Sequence, residues 1–176
     1  KNDTQEENDI RKFNNWIKIL NIQPGETVIE CGCGSGEFLK YLKTKNIKAV
    51  GLTLSDVTAN RLNSEGIECY YHDYRKPNPK LHNRFDHIMF PGSLEHLTQH
   101  FINCPDQLFE KQKENIVKLM KNISPWFKQN SPKQHLFINH LHIKPKYCHS
   151  FPAHLLERSY GGSYFPDEKS KRMNEV

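Results

Sequence analysis

The stretch Val28 to Phe38, VIECGCGSGEF, constrains this chain more than any other. Two β-branched residues run into Glu30. Gly32, Gly34 and Gly36 then alternate with small residues before Phe38, Leu39 and Leu42 begin a helical pattern. A strand that ends in alternating glycines and opens directly into a helix lets a ligand approach bare backbone. The helix N-terminus adds N–H groups and a partial positive charge. The spacing is GxGxG, whereas a dinucleotide pyrophosphate is cradled by GxGxxG. Glu30 offers a carboxylate to an ammonium, and the loop offers amides to a carboxylate. That combination suits an amino-acid group such as the one on S-adenosylmethionine. Three glycines can also make a simple tight turn, so the remainder of the chain decides.

Periodicity along the chain predicts alternating strands and helices. Lys1 to Asn8 are charged and expected to fray, and from Asp9 the residues Ile10, Phe13, Ile17 and Leu20 recur at helical spacing. Gln23 to Glu26 (QPGE) is a turn and Thr27 to Glu30 a first strand. Glu37 to Lys45 reads as a helix, ended near Asn46. Ala49 to Leu54 suits a buried parallel strand. Ser55 is a good N-cap for a helix reaching Glu65, with Gly66 placed as a C-terminal glycine. Ile67 to Tyr71 and Phe85 to Phe90 read as further strands, the latter followed by a short helix, SLEHLTQHF. A longer helix spans Asp106 to Asn122, with Phe109, Ile116, Leu119, Met120 and Ile123 as its core face. SPWFKQNSPK breaks it, and Leu136 to Ile143 is a fifth strand. Strands separated by helices specify an α/β, doubly wound, mostly parallel sheet whose ligand belongs at the carboxyl ends of the strands.

At 176 residues the chain suits one domain. The expected division is an N-terminal helix over 1–21, a cofactor-binding core over 22–143 and a C-terminal extension over 144–176. Mean hydropathy is −0.79, polar for an enzyme, yet there is enough Phe, Ile and Leu to exclude disorder. A formal charge of +5 favours an anionic partner, such as a lipid headgroup surface, and leaves nucleic acid open, although no Lys/Arg run is dense enough to define a patch. Five cysteines without a CxxC pair point to reduced thiols in a cytosol-like compartment. No apolar run is long enough to span a bilayer, so a soluble, cytoplasmic protein is expected. The chain starts at Lys1 without Met, as a piece of a longer product would.

Glu30 to Gly36, then GLTLS at Gly51 to Ser55, DYR at Asp73 to Arg75 and GSLEHL at Gly92 to Leu97, together resemble a class I S-adenosylmethionine-dependent methyltransferase. Within that class the chain is most similar to the cyclopropane-fatty-acyl-phospholipid and mycolic acid synthase group. The resemblance implies a Rossmann-like fold, its final strand pair absent or truncated here, and S-adenosylmethionine as cofactor. Glu30, Gly32, Cys33, Gly34 and Gly36 would surround its methionine end. Thr53, Leu54 and Ser55 would lie along ribose and adenine. Thr58 stands where the group usually has Gln. Asp73 and Tyr74 would face the adenine amino group, and Pro91 and Gly92 would border the sulfonium.

Methylating an alkene creates a carbocation that must lose a proton, so a base is needed. The resemblance implies a bound bicarbonate in that role. Glu95 matches one of its holders and His140 a second, with His96 beside Glu95 as a further candidate. No cysteine precedes Cys31 to match a third, and the Tyr that would complete the set has no counterpart. The implied reaction is methyl transfer, with an unsaturated acyl lipid as acceptor. The alternatives are a small-molecule or nucleic-acid methyltransferase sharing the cofactor half, or a binding module of the same fold without catalysis. Glu95 and His96 could instead cap a helix, and Asp73 could be a turn residue. His140 could be a hydrogen-bonded strand residue, or with His142, Cys148, His149 and His154 could hold zinc; no metal is expected.

Overall fold

The computed structural model describes residues 4–94 and 106–139, with the backbone alone for 106–112. Its first helix, α1 (Gln5–Leu20), starts earlier than periodicity suggests. The Thr4 side chain accepts from the Glu7 N–H at 3.2 Å, while the Glu7 carboxylate accepts from the Thr4 N–H at 2.7 Å. This capping box satisfies two end groups and fixes residues that were expected to fray. The buried face of α1 is Phe13, Trp16 and Leu20, whereas Ile10 is exposed. Trp16 meets Phe38 edge to face at 5.1 Å between ring centroids, which turns the helix toward that side.

Five strands follow: β1 (Thr27–Cys31), β2 (Lys48–Thr53), β3 (Glu68–Tyr71), β4 (His87–Pro91) and β5 (His135–Asn139). All pair in parallel, in the order β3-β2-β1-β4-β5. The chain therefore steps outward twice, returns past β1 to β4 and continues to the opposite edge. The connecting helices are α2 (Glu37–Thr44), α3 (Asp56–Ser64) and α4 (Asp106–Ile123). A strand buried on both faces needs apolar residues at successive positions. β1 and β4 supply them: Ile29, Ile88 and Phe90 face a core with Leu119, Ile123 and Trp126, while Val28 and Met89 face α1 and α2. Leu39, Ala59 and Leu62 complete the layer over β2. This is the doubly wound architecture expected from the sequence.

Several boundaries and one face differ from expectation. Phe85 sits ahead of β4, making an isolated bridge to Phe127. Leu54 lies beyond β2 and is exposed. On α4, Leu119 and Ile123 are buried but Ile116 is 44% exposed. The helix thus buries its last turns, where Trp126 of the following 3-10 turn is fully enclosed, rather than a continuous stripe. The expected helix after Leu94, the side chain of Phe109 and the strand beyond Asn139 lie outside the described residues. No helix of the described part is long and apolar enough to cross a membrane.

The amino edge of the sheet is closed by paired charges. The buried Asp86 carboxylate accepts from the Thr27 N–H at 2.8 Å, Lys128 Nζ at 2.5 Å and Ser131 Oγ at 2.6 Å. Burial raises its pKa, but Lys128, Ser131 and the Thr27 amide together hold it below the ordinary aspartate range. Nearby, Glu26 pairs with both His87 and Lys133 at 2.9 Å. A depressed carboxylate stabilises the fold above its unfolded-state pKa, and that contribution disappears as pH falls through its folded value. Asp86→Ala is expected to cost about 2 kcal/mol at pH 7 by stranding the amide and ammonium donors. In urea titrations the gap between mutant and wild type should shrink below about pH 4; an equal gap at pH 3 and pH 7 would contradict the assignment.

Candidate functional site

In a parallel sheet whose order reverses beside β1, the place for a ligand is the crevice outside the carboxyl ends of the strands, by the loops after β1 and β4. The sequence-derived candidates from Glu30 to Gly92 are gathered along this edge. Glu30 is the last but one residue of β1, level with Met89 on one side and Gly51 on the other. Side-chain alternation puts it on the face of Val28, under α1 and α2, where it is only 6% exposed. Its Oε2 has no hydrogen-bond partner among the described residues. Burial pushes its pKa up to about 8, a rise that Lys12 partly offsets and Cys69 reinforces. An unpartnered buried carboxyl is costly unless something completes it. It therefore marks a place where a cationic group would be welcome.

The glycines downstream do different jobs. Gly32 has φ +83°, and a Cβ there would lie 2.6 Å from Ser93 Cβ, so only glycine lets the loop after β1 pass under the loop after β4. At Gly36, the N-cap of α2, a Cβ would lie 2.6 Å from Leu62, so a glycine is needed where the start of α2 packs on α3. Gly34, at φ +51°, has open space where its Cβ would be. Around them the loop is held by the Leu52 carbonyl, which accepts from the Gly32 and Cys33 N–H groups at 2.9 Å each. Arg61 adds a bond at 2.8 Å to the Ser35 carbonyl. Cys33 turns its thiol inward against Leu39, Ala59 and Leu62, so only its backbone is offered to the crevice.

The remaining candidates divide similarly. Thr53 Oγ1 accepts from the Ser55 N–H at 3.2 Å, and Ser55 Oγ accepts from the Thr58 N–H at 3.2 Å, capping α3. Exposed Leu54 stands at the tip between them. The Asp73 carboxylate is bound by the Arg75 guanidinium at 2.8 to 3.0 Å. Burial raises the Asp73 pKa, and the bonds from Arg75 more than reverse that. The Tyr74 side chain turns into the core, which leaves its backbone at the carboxyl edge. It is buried, packs at right angles to Phe90 and donates through its hydroxyl to the Ser93 carbonyl at 2.7 Å. Pro91 ends β4, and the Gly92 N–H donates to the Asn139 carbonyl at 2.6 Å. Glu95, His96 and His140 lie outside the described residues, as do the histidines and the cysteine of the zinc alternative.

Ser93 escaped the sequence reading. Its hydroxyl donates to the Cys31 carbonyl at 2.6 Å while its own carbonyl accepts from Tyr74. One buried serine thus ties the loops after β1, β3 and β4 together. A lone Ser beside glycine carries no local signal for this. Three tied loops, a left-handed glycine turn at a helix N-terminus and an acid left unsatisfied could hold both ends of a zwitterionic amino-acid group.

Fold and site together define a class: this is a Rossmann-like class I methyltransferase fold. The chain belongs to the family described as mycolic acid cyclopropane synthetase, whose sequence profile matches residues 1–143. Among curated proteins it is 27% identical over 160 residues to (S)-tetrahydroprotoberberine N-methyltransferase of Eschscholzia californica, covering 86% of this chain and 39% of that one. It is also 27% identical over 143 residues to N-methyltransferase 4 of Papaver somniferum, covering 76% of this chain and 33% of the relative. The chain therefore spans between a third and two fifths of the length of these relatives. Among solved structures, coclaurine N-methyltransferase bound to N-methylheliamine and SAH superposes with a TM-score of 0.55 at 20% identity, over 73% of this chain and 35% of that one. The YcgJ protein of Bacillus subtilis does so with a TM-score of 0.59 at 13% identity, over 84% of this chain and 58% of that one.

The two kinds of glycine give a direct comparison. Gly36→Ala is expected to lower stability by about 2–3 kcal/mol, because it adds overpacking against Leu62 to left-handed strain. Gly34→Ala should lose only about 1 kcal/mol, for strain alone. Equal losses in chemical denaturation would overturn the distinction.

Proposed function

We propose that this chain forms the cofactor-binding part of an S-adenosylmethionine-dependent methyltransferase acting on an apolar acceptor. The observation that carries this reading is Glu30: a buried, unpartnered carboxyl at the point where β1 gives way to the glycine loop. The residues fit the cofactor. Glu30 would accept from its ammonium, the amides at the start of α2 would meet its carboxylate, and the tip from Thr53 to Ser55 would lie along the ribose. When bound, the cofactor supplies a methyl group already activated on a sulfonium, so the protein contributes chiefly by orientation. Pro91 and Gly92, fixed by Asn139 and Ser93, would border the methyl donor and exclude water from it.

The curated relatives named as N-methyltransferases favour an amine nitrogen as the acceptor, since a neutral amine needs no base beyond its own lone pair. The second reading, an unsaturated acyl chain, is favoured by the description of the family. It would require a base, and Glu95, His140 and His96 are the candidates. Transfer of labelled methyl groups separates the two. An amine reading expects label in a benzylisoquinoline-type amine, a lipid reading expects it in unsaturated phospholipid vesicles, and label in RNA would displace both. A net positive chain matches an anionic lipid surface, and a cytoplasmic location accords with its cysteine usage.

Glu30 gives a pH signature. With a pKa near 8 its carboxyl is protonated in the free protein at neutral pH and must ionise to hold an ammonium. Cofactor affinity should therefore rise with pH toward about 8 and fall again as the ligand's α-amine, ordinarily near 7.7–8.0, loses its proton. Glu30→Gln should bind about tenfold to a hundredfold more weakly at the optimum, with the rising limb gone. Without ligand the sign for stability is opposite. A carboxyl whose pKa is raised on folding stabilises below its unfolded value of 4.5 and loses that contribution as pH climbs to about 8. Glu30→Gln should thus unfold at higher temperature than wild type at pH 8 but not at pH 4. Calorimetric binding unchanged by the substitution would place the ligand elsewhere.

A further inference from the structure

One row of the sheet runs Met89, Glu30, Gly51, Cys69 across β4, β1, β2 and β3. Gly51 lacks a side chain, and two sulfurs occupy the room this leaves. A Cβ there would lie 2.9 Å from Cys33 Sγ and 3.0 Å from Cys69 Sγ. The two thiols share a hydrogen bond at 3.8 Å, although they lie 36 residues apart in sequence. Neither is used by the methyl-transfer reading. Cys69 lies in the same row as Glu30, one strand beyond Gly51, and Cys33 belongs to the glycine loop.

We propose that Cys33 and Cys69 are a redox-sensitive pair whose disulfide unseats the cofactor loop, a role that rests on the function proposed above. Bond formation must close the 3.8 Å gap to about 2.0 Å. The two sides are not equally free to move. Cys69 is held in β3 beside Gly51, and Asn63 grips its backbone twice, accepting from its N–H at 3.1 Å and donating to its carbonyl at 2.7 Å. Cys33 sits in a turn between two left-handed glycines, held to β2 by the single Leu52 carbonyl. Displacement therefore falls on the loop and carries the Gly32 to Gly36 backbone away from the geometry a ligand carboxylate needs.

The chemistry balances with a hydroperoxide as oxidant. Cys69 is the better nucleophile, since the hydrogen bond from Cys33 lowers its pKa against burial, with help from Arg61. Its sulfur attacks the peroxide, the O–O bond breaks, an S–O bond forms and one water leaves with hydrogen peroxide as oxidant. Cys33 sulfur then attacks the resulting sulfenic acid, the S–S bond forms, and the S–O bond breaks to release a second water. Two electrons pass from the thiols to the peroxide, and a dithiol reverses the change by exchange. Gly34, next to Cys33 in the chain, has open space on its Cβ side. Cys31, buried on the opposite face with Ile29 and Phe90, has no such partner among the described residues.

The test treats the whole chain with hydrogen peroxide, maps its peptides by mass spectrometry and titrates S-adenosylmethionine by calorimetry before and after. The expected result is a Cys33–Cys69 linked peptide two hydrogens lighter, an affinity at least tenfold weaker, and full recovery with dithiothreitol. Bound cofactor should in turn slow the linkage, because coupling is reciprocal. Cys69→Ser should bind like reduced wild type and ignore peroxide. No linked peptide, or a linked peptide with unchanged affinity, overturns the proposal. Reduced protein that binds no cofactor overturns the methyltransferase reading and the gating with it, and is told apart because linkage is read by mass alone.

Discussion

β1 is hydrogen-bonded on both sides and covered on both faces, and this double enclosure governs the rest of the carboxyl edge. Ile29 and Cys31 look toward α4 and Val28 toward α1 and α2, so every position from Val28 to Cys31 is buried. Glu30 inherits that enclosure, which is why its carboxyl keeps a proton near neutrality. The same crowding obliges the chain to leave the strand through a glycine, because Ser93 already stands where a side chain at residue 32 would go. The acid and the glycine turn are therefore two results of one constraint, placing β1 at the reversal of strand order.

The two ends of the sheet handle charge in opposite ways. At the amino edge Asp86, Glu26, His87, Lys128 and Lys133 are matched, and the buried His87 is held below the ordinary histidine range by desolvation despite Glu26. These groups stabilise strand starts. At the carboxyl edge Glu30 is unmatched and the backbone is bent into left-handed turns. Such separation is physically sensible, since local strain in a ligand site must be held in place by stability gained elsewhere.

Much of this was legible in the sequence because it depends on short-range patterns. Alternating strand and helix periods specified a parallel sheet, and Ser55 and Gly66 marked the ends of α3 by their own conformational preferences. What was not legible depends on a distant neighbour. The packing of Gly36 against Leu62 joins residues 26 positions apart, which no local pattern shows. The burial of Tyr74 likewise depends on Phe90 and Ser93, both on a later strand and loop. Ile116 fits the helical stripe of α4, yet the enclosed turn at Trp126 puts the buried part further along. The capping box of Thr4 and Glu7 is the exception: it was local, and the charge of the segment hid it.

Gly51 shows how such distant dependence would shape change in this chain. In sequence it is an unremarked member of an apolar strand, but in space it is the vacancy shared by Leu39, Cys33 and Cys69. An alanine there cannot be accepted alone. It becomes tolerable only after one of the three neighbours has shrunk, and each of those changes by itself leaves a small void. Substitutions at the four positions are thus epistatic. Any mutational path through them has a preferred order, with neighbour first and glycine second, and a survey of single variants would miss the double ones that fold.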